Sequence, residues 1–386
     1  MPKRYLILDA LRGFAILGII LANFPEFSLW TFSGAETWTR ADVITRAVQT
    51  FLVDGKFYTL FSLLFGMGFS IQMEKAGGKL RTFYRRMVVL LLFGLGHLLL
   101  LWSGDILMLY AAMGMLLPLF RKASTRSILM AAGGFLVLPV LCEAVFGSML
   151  SDPLEREQWR ICGLYGITEA NFGTWLSDAR SYREVLQFLH QGAVERMWEF
   201  VSGYRFFKVL GLFLIGYAVG RKKVYADLSA HKELLSKILK WGLALGIPVS
   251  VLYTWSSMAG HPAGHVLHSI FYLLGVYPMG FAYAAGFCLL FDRRPESTDW
   301  TLLAKAGRMA FTNYLGQSVI GILLFYGIGL GLGNRVGLPG TEFIALVVFS
   351  FQIAFSSIWL RSFKYGPLEW VWRMLTYGKR LPLLVH

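Results

Sequence analysis

His97 stands inside a long apolar run, eight positions before Asp105. An imidazole held in a membrane is a candidate general base or nucleophile, because it exchanges a proton near neutral pH. A packing hydrogen bond to a neighbouring helix explains it equally well. Gly94 and Gly96 beside it leave room for a group to approach the backbone. Asp105 either orients the imidazole or caps the helix that follows. Eight residues along one helix is too far for contact, so the pairing requires two helices that tilt together.

A second set is Asp9, Arg12 and Asn23, all within the first apolar segment, residues 6–24. At about 100° per residue the three share one helical stripe. Intramembrane charge costs roughly 2.5–3.5 kcal/mol on insertion scales, so that stripe must face protein or water. Asp9 and Arg12, at i,i+3, either neutralise each other or leave the Arg12 fork to hold a phosphate or carboxylate. Asp54, Lys56 and Tyr58 interrupt another apolar span around Gly55, as in broken membrane helices that line cavities, although Lys56 could equally snorkel to water. Arg308, Asn313 and Gln317 fall within residues 307–317, where amides commonly cross-link helices. His261, His265 and His268 have no acidic or cysteine partner nearby, so a solvated loop is expected and no metal site.

The elements that must position these residues are membrane helices. The chain has 386 residues, 56% hydrophobic and only 16% charged, which excludes a soluble protein. The net charge of +14 does not form a nucleic-acid patch, because the basic residues alternate with the apolar segments. Cys142, Cys162 and Cys288 lack metal spacing, and a Cys142–Cys162 bridge stays open. No cleavable signal peptide is expected, since the first apolar segment carries charges and no small-residue cleavage site follows it.

The expected fold is all-α, a bundle of about ten spans near residues 5–24, 45–73, 83–103, 105–120, 126–147, 200–220, 236–256, 267–291, 307–330 and 341–361. The interrupted second window would make about eleven if it counts twice. Lys3, Arg4, Lys75, Lys79, Arg81, Arg85, Arg86, Arg121 and Arg221 fall on one side of this threading, which predicts both termini in the cytoplasm. Residues 1–147 then form a first bundle, 148–199 a helical extracytoplasmic cap or connector, 200–361 a second bundle and 362–386 a cytoplasmic amphipathic tail.

Several stretches, in order, resemble the YeiB family of bacterial membrane proteins (domain of unknown function 418). They are Leu8-Asp9-Ala10-Leu11-Arg12-Gly13-Phe14-Ala15, residues 55–66, Gly96-His97-Leu98 with Gly104-Asp105-Ile106-Leu107, residues 307–317, and Gly366-Pro367-Leu368-Glu369-Trp370. The first helix is also similar to that of transmembrane acyltransferases. In the acyltransferase-3 branch an Arg is followed eleven positions on by a His; here Arg12 is followed by Asn23, as in the heparan-α-glucosaminide branch. The resemblance implies acyl transfer in the bacterial inner membrane. Its donor would be an acyl-CoA or acetyl-CoA, met at the basic face by Arg12, Arg81, Arg85 and Arg86. His97 would deprotonate the acceptor or carry the acyl group, Asp105 would orient it, and Asn23 or Tyr58 would polarise the thioester carbonyl. The acceptor would be a glycan, lipid or small molecule beneath the cap, with the donor entering from the basic face; a continuous tunnel from that face to His97 would support acyl transfer and a solid core there would refute it. A homodimer is open. The rival reading is a transporter or lipid-binding permease that uses the same buried polar groups as a relay.

Overall fold

The computed structural model describes residues 5–34, 37–75 and 80–385; Lys3, Arg4, Lys79 and the side chain of Lys75 lie outside them. The fold is all-α, and the described residues form no β-strand beyond an isolated bridge between Phe363 and Leu384. The helices of the first half are α1 (Leu6–Phe27), α2 (Arg40–Leu52), α3 (Lys56–Lys75), α4 (Leu80–Leu100), α5 (Leu107–Gly114) and α6 (Thr125–Phe146). Between the halves come α7 (Asp152–Tyr165), α8 (Glu169–Phe172), α9 (Trp175–Asp178) and α10 (Tyr182–Ser202). The second half holds α11 (Arg205–Arg221), α12 (Lys232–Met258), α13 (His265–Phe271), α14 (Tyr277–Arg293), α15 (Thr298–Arg308), α16 (Ala310–Phe325), α17 (Leu338–Ser362) and α18 (Pro367–Tyr377).

Six stretches among the described residues are long and apolar enough to cross a membrane: α1, α4, α6, α17, residues 229–258 and residues 265–293. A seventh arises if α10 and α11, bent by 65° at Gly203-Tyr204, count as one span. Length and composition thus support six or seven of the ten expected spans. The second window is split by a turn at Val53-Asp54-Gly55, with Gly55 at φ +75°. The windows at 105–120 and 307–330 contain only the shorter apolar helices 107–120 and Ala310–Phe325. The sequence windows had merged short helices with the apolar turns that flank them.

The spanning helices present apolar side chains outward over most of their length, with charges gathered near their ends. Leu92, Val145, Trp241, Phe351 and Ile358 point outward and are exposed. Inside, glycines bring backbones together. A Cβ on Gly13 of α1 would lie 2.1 Å from the Leu303 carbonyl oxygen, and one on Gly307 would lie 1.9 Å from that of Asp9, so α1 and α15 touch backbone to backbone. Gly66 and Gly216 do the same for α3 and α11.

The segment between the halves is helical. α10 packs on α7, where the Gln158 amide donates to the Gln191 side-chain oxygen at 3.1 Å, and it leans on the turn after α4. Trp102 and Phe27 sit with ring centroids 4.3 Å apart, so α1 and α4 end at the same level, beneath α10. The N-terminal end of α4 meets α18 at the opposite, basic end, where Trp372 donates its indole N–H to the Arg86 carbonyl.

Candidate active site

The connection from α4 to α5 is short and tightly folded. The amides of Leu101 and Trp102 both hydrogen-bond to the His97 carbonyl, and the chain turns back at once. Gly94 makes the return possible: its missing Cβ would stand 2.4 Å from the Met108 nitrogen. Asp105 sits at the mouth of this hairpin, and its Oδ1 accepts the Met108 N–H at 2.8 Å, capping α5.

Its other oxygen reaches His97. Nδ1 of His97 and Oδ2 of Asp105 are 2.9 Å apart, and both side chains are completely buried. The sequence allowed this contact only if two helices tilted together, and the hairpin supplies that tilt. Both proposed roles of Asp105, cap and orienter, are filled by one carboxylate.

On the far side of the ring, Nε2 lies 2.8 Å from the Ser318 hydroxyl. With Asp105 as a carboxylate, which only accepts, and a neutral ring, Nδ1 donates to Asp105 and Nε2 accepts the Ser318 O–H. Ser318 is 1% exposed. Tyr314, one turn earlier on α16, faces the imidazole at 5.3 Å between ring centroids, and Trp102 closes another side at 6.0 Å. Ser318, missed by sequence reasoning, thus completes a hydroxyl–imidazole–carboxylate chain. The available signal was register: Tyr314 and Ser318 share a helical face next to the one shared by Asn313 and Gln317.

α16 is held in place by its neighbours. Its N-cap residue, Met309, offers no side-chain cap. Glu369 of α18 supplies one, accepting the N–H of Phe311 at 2.8 Å, the N–H of Thr312 at 3.1 Å and the Thr312 hydroxyl at 2.6 Å. Asn313 donates to the Ala306 carbonyl and to Ser356, and Gln317 donates to Gln352 at 2.9 Å. These two amides cross-link α16 and α17, and Arg308 donates to the Lys364 carbonyl. All three have structural partners.

The other expected site residues do not converge on His97. Asn23 is half-buried and makes no hydrogen bond among the described residues. The Tyr58 hydroxyl reaches the Arg205 carbonyl at 3.5 Å, and its ring neighbours Tyr110, so it belongs to a different cluster. Asp9 and Arg12 pair at 2.8 Å near the start of α1. Asp54 lies 3.5 Å from Arg46, and the buried Lys56 ammonium donates to the Thr50 carbonyl at 2.8 Å.

At the basic end Arg81 and Arg85 are exposed. Arg86 lies over the Trp372 ring at 4.4 Å, within electrostatic reach of Arg12 and Arg373. Cys142, Cys162 and Cys288 are all free thiols, so the 142–162 bridge is not formed. No group of three His, Cys, Asp or Glu among the described residues has metal-binding geometry, the His261–His265–His268 cluster included.

Two cavities stand out. One, of about 190 Å³, opens where α10 meets the α4–α5 turn and is lined by Glu26, Phe32, Ser103, Glu195, Arg196 and Glu199, with Gly192 between them. The other, of about 210 Å³, is apolar and lies towards the start of α1, between Leu8, Leu11, Met67, Val219, Ile238 and Phe281. Neither is lined by His97 or Ser318, each only 1% exposed, so neither of these two cavities leads from the basic face to the pair.

The family model described as "Protein of unknown function (DUF418)" matches residues 219–379. The chain is 32% identical to "Uncharacterized protein YxaH" of Bacillus subtilis (strain 168), over 99% of its own length and 96% of the relative's. It is 30% identical to "Uncharacterized protein YeiB" of Escherichia coli (strain K12), over 97% of its own length and 96% of the relative's. A third relative, "Uncharacterized 39.9 kDa protein in amylase 3'region" of Bacillus acidopullulyticus, is 28% identical over the whole chain and 97% of its own length. With a DUF418 region in its second half, and with YxaH and YeiB aligned to it almost end to end, this polytopic chain belongs to the YeiB family of membrane proteins.

Proposed function

We propose that the protein is an acyltransferase embedded in the bacterial cytoplasmic membrane, with both termini in the cytoplasm and α7–α10 outside. The observation that carries this reading is the Ser318–His97–Asp105 chain, with contacts of 2.8 and 2.9 Å. Nucleophile, base and orienter in hydrogen-bonded sequence is the arrangement by which weak nucleophiles are activated.

His97 Nε2 takes the Ser318 proton as Oγ attacks the thioester carbonyl of an acyl-CoA. The C–S bond breaks, the departing thiolate takes the proton from His97, and the acyl group rests on Ser318 as an ester. The acceptor hydroxyl or amine then gives its proton to His97 and attacks the ester, and Ser318 recovers the proton. Asp105 stabilises the imidazolium formed in each half.

The donor's phosphates would be met by Arg12, Arg81, Arg85 and Arg86. From Arg86 to His97 is eleven residues, about 16 Å of helix rise, which the donor's arm must span. Because His97 and Ser318 are closed off, transfer requires the helices around Tyr314 and Trp102 to part.

The test is release of free thiol from acetyl-CoA by the purified protein in vesicles, with mass spectrometry of the Ser318 peptide. Wild type should release thiol and carry acyl on Ser318. His97→Ala and Ser318→Ala should each lose about 100-fold or more. Undiminished turnover in either variant removes the assignment, and uptake of a solute into vesicles lacking CoA would support the permease reading instead.

A further inference from the structure

The cavity beneath α10 has a charge balance of its own. Glu199 is paired with Arg196 and lies 3.7 Å from Arg205. Arg196 donates from Nε to the Ser103 carbonyl at 2.7 Å and holds Glu199 with a terminal nitrogen, and its charge also reaches Glu26 and Glu195, so two arginines face three carboxylates around this space. Glu26 and Glu195, on α1 and α10, line the same space and form no ion pair among the described residues. Ser103 is 8% exposed and also lines the cavity, and its hydroxyl makes no hydrogen bond among the described residues. A serine more than nine-tenths buried, whose hydroxyl makes no hydrogen bond among the described residues and which lines a space that two carboxylates face, suits a ligand that supplies hydrogen-bond donors and positive charge. Phe32, packed edge-to-face with Phe172 and Phe188, also lines the space.

We propose that this cavity binds a small molecule bearing a primary ammonium group. The ammonium would donate to Glu26, Glu195 and the Ser103 hydroxyl, satisfying all three at once. Gly192 lets α10 come close to Ser103, since a Cβ there would lie 2.7 Å from Ser103 Cβ. The location gives the site a purpose. Ser103 follows Trp102, which contacts the His97 ring, and precedes Asp105 by two residues. On the acyl-transfer reading, on which this role alone rests, the cavity receives the amine acceptor. The ammonium could come from a free amine or from a phospholipid headgroup.

Calorimetric titration of the purified full-length protein in detergent tests this with ethanolamine, ethylene glycol, short-chain phosphatidylethanolamine and short-chain phosphatidylglycerol. Ethanolamine should bind at least about tenfold more tightly than its neutral analogue, and phosphatidylethanolamine more tightly than phosphatidylglycerol if the headgroup is the source. Glu195→Gln and Glu26→Gln should each weaken the amine about tenfold. His97→Ala should bind it unchanged even where turnover is lost, so the site survives a failure of the acyl-transfer reading. Absence of amine binding by wild type, or equal binding of ethylene glycol, overturns the proposal. So does wild-type affinity in a Glu195→Gln variant of unchanged melting temperature.

Discussion

At the scale of single residues, the centre is legible by type and illegible by partner. His97 and Asp105 announce themselves because an imidazole and a carboxylate are costly in lipid. Ser318 does not, because a serine in an apolar helix hides its hydroxyl at little cost and looks like any small packing residue. Asn23 and Tyr58 do not contact His97. Each is polar and placed at a plausible depth, yet their directions are set by tertiary packing that the sequence does not display. Asp105→Asn should keep the α5 cap but lose the preference for a proton on Nδ1, reducing turnover roughly 100-fold or more while leaving the melting temperature nearly unchanged. Asn23→Ala and Tyr58→Phe should retain turnover within a few-fold of wild type in the thiol-release assay, since neither touches His97 or Ser318.

At the scale of elements, the site depends on helix ends. α16 carries Ser318 but borrows its N-terminal cap from Glu369, 58 positions from Phe311. Glu369→Ala should therefore lower stability by about 1 kcal/mol and reduce turnover, a combined effect readable by thermal melting and thiol release. The motif Gly366-Pro367-Leu368-Glu369-Trp370 was visible in the sequence, but its role was not, because a cap supplied across space has no local signature.

A similar clip joins α2 to α17. Asp42 accepts the Thr39 N–H and hydroxyl and also the Leu338 N–H at 2.7 Å. Burial works against its charge, but these hydrogen bonds outweigh it and hold the carboxyl below its usual range. A carboxyl with a depressed value in the folded state stabilises above its unfolded value and loses that contribution as pH falls through the folded one. Acid melts of Asp42→Asn should lack the part of the stability loss that wild type shows below the ordinary carboxylate range. Gly94→Val should be more severe, because the Met108 backbone occupies the space its side chain needs. About 1–3 kcal/mol of overpacking would be expected in melting, together with loss of thiol release.

At the scale of the whole molecule, composition and charge alternation were enough for an all-α membrane bundle, and the number of crossings was not. Six or seven long apolar stretches are joined by shorter helices whose apolar character resembles that of spans in a sliding window. Cysteine-accessibility mapping in intact cells, against a background with Cys142, Cys162 and Cys288 replaced, should place residues of α7–α10 outside and residues 373–380 inside. The opposite labelling pattern would invert the proposed donor and acceptor sides. The α4–α5 hairpin also bears on how the chain is made. His97 and Asp105 meet within eight residues of sequence, whereas Ser318 lies 221 residues from the histidine. During synthesis the acid can enter the bilayer already matched to its imidazole, which lowers the insertion penalty of both. The hydroxyl arrives only when α16 docks, so the three-residue chain is complete only once the second half has inserted.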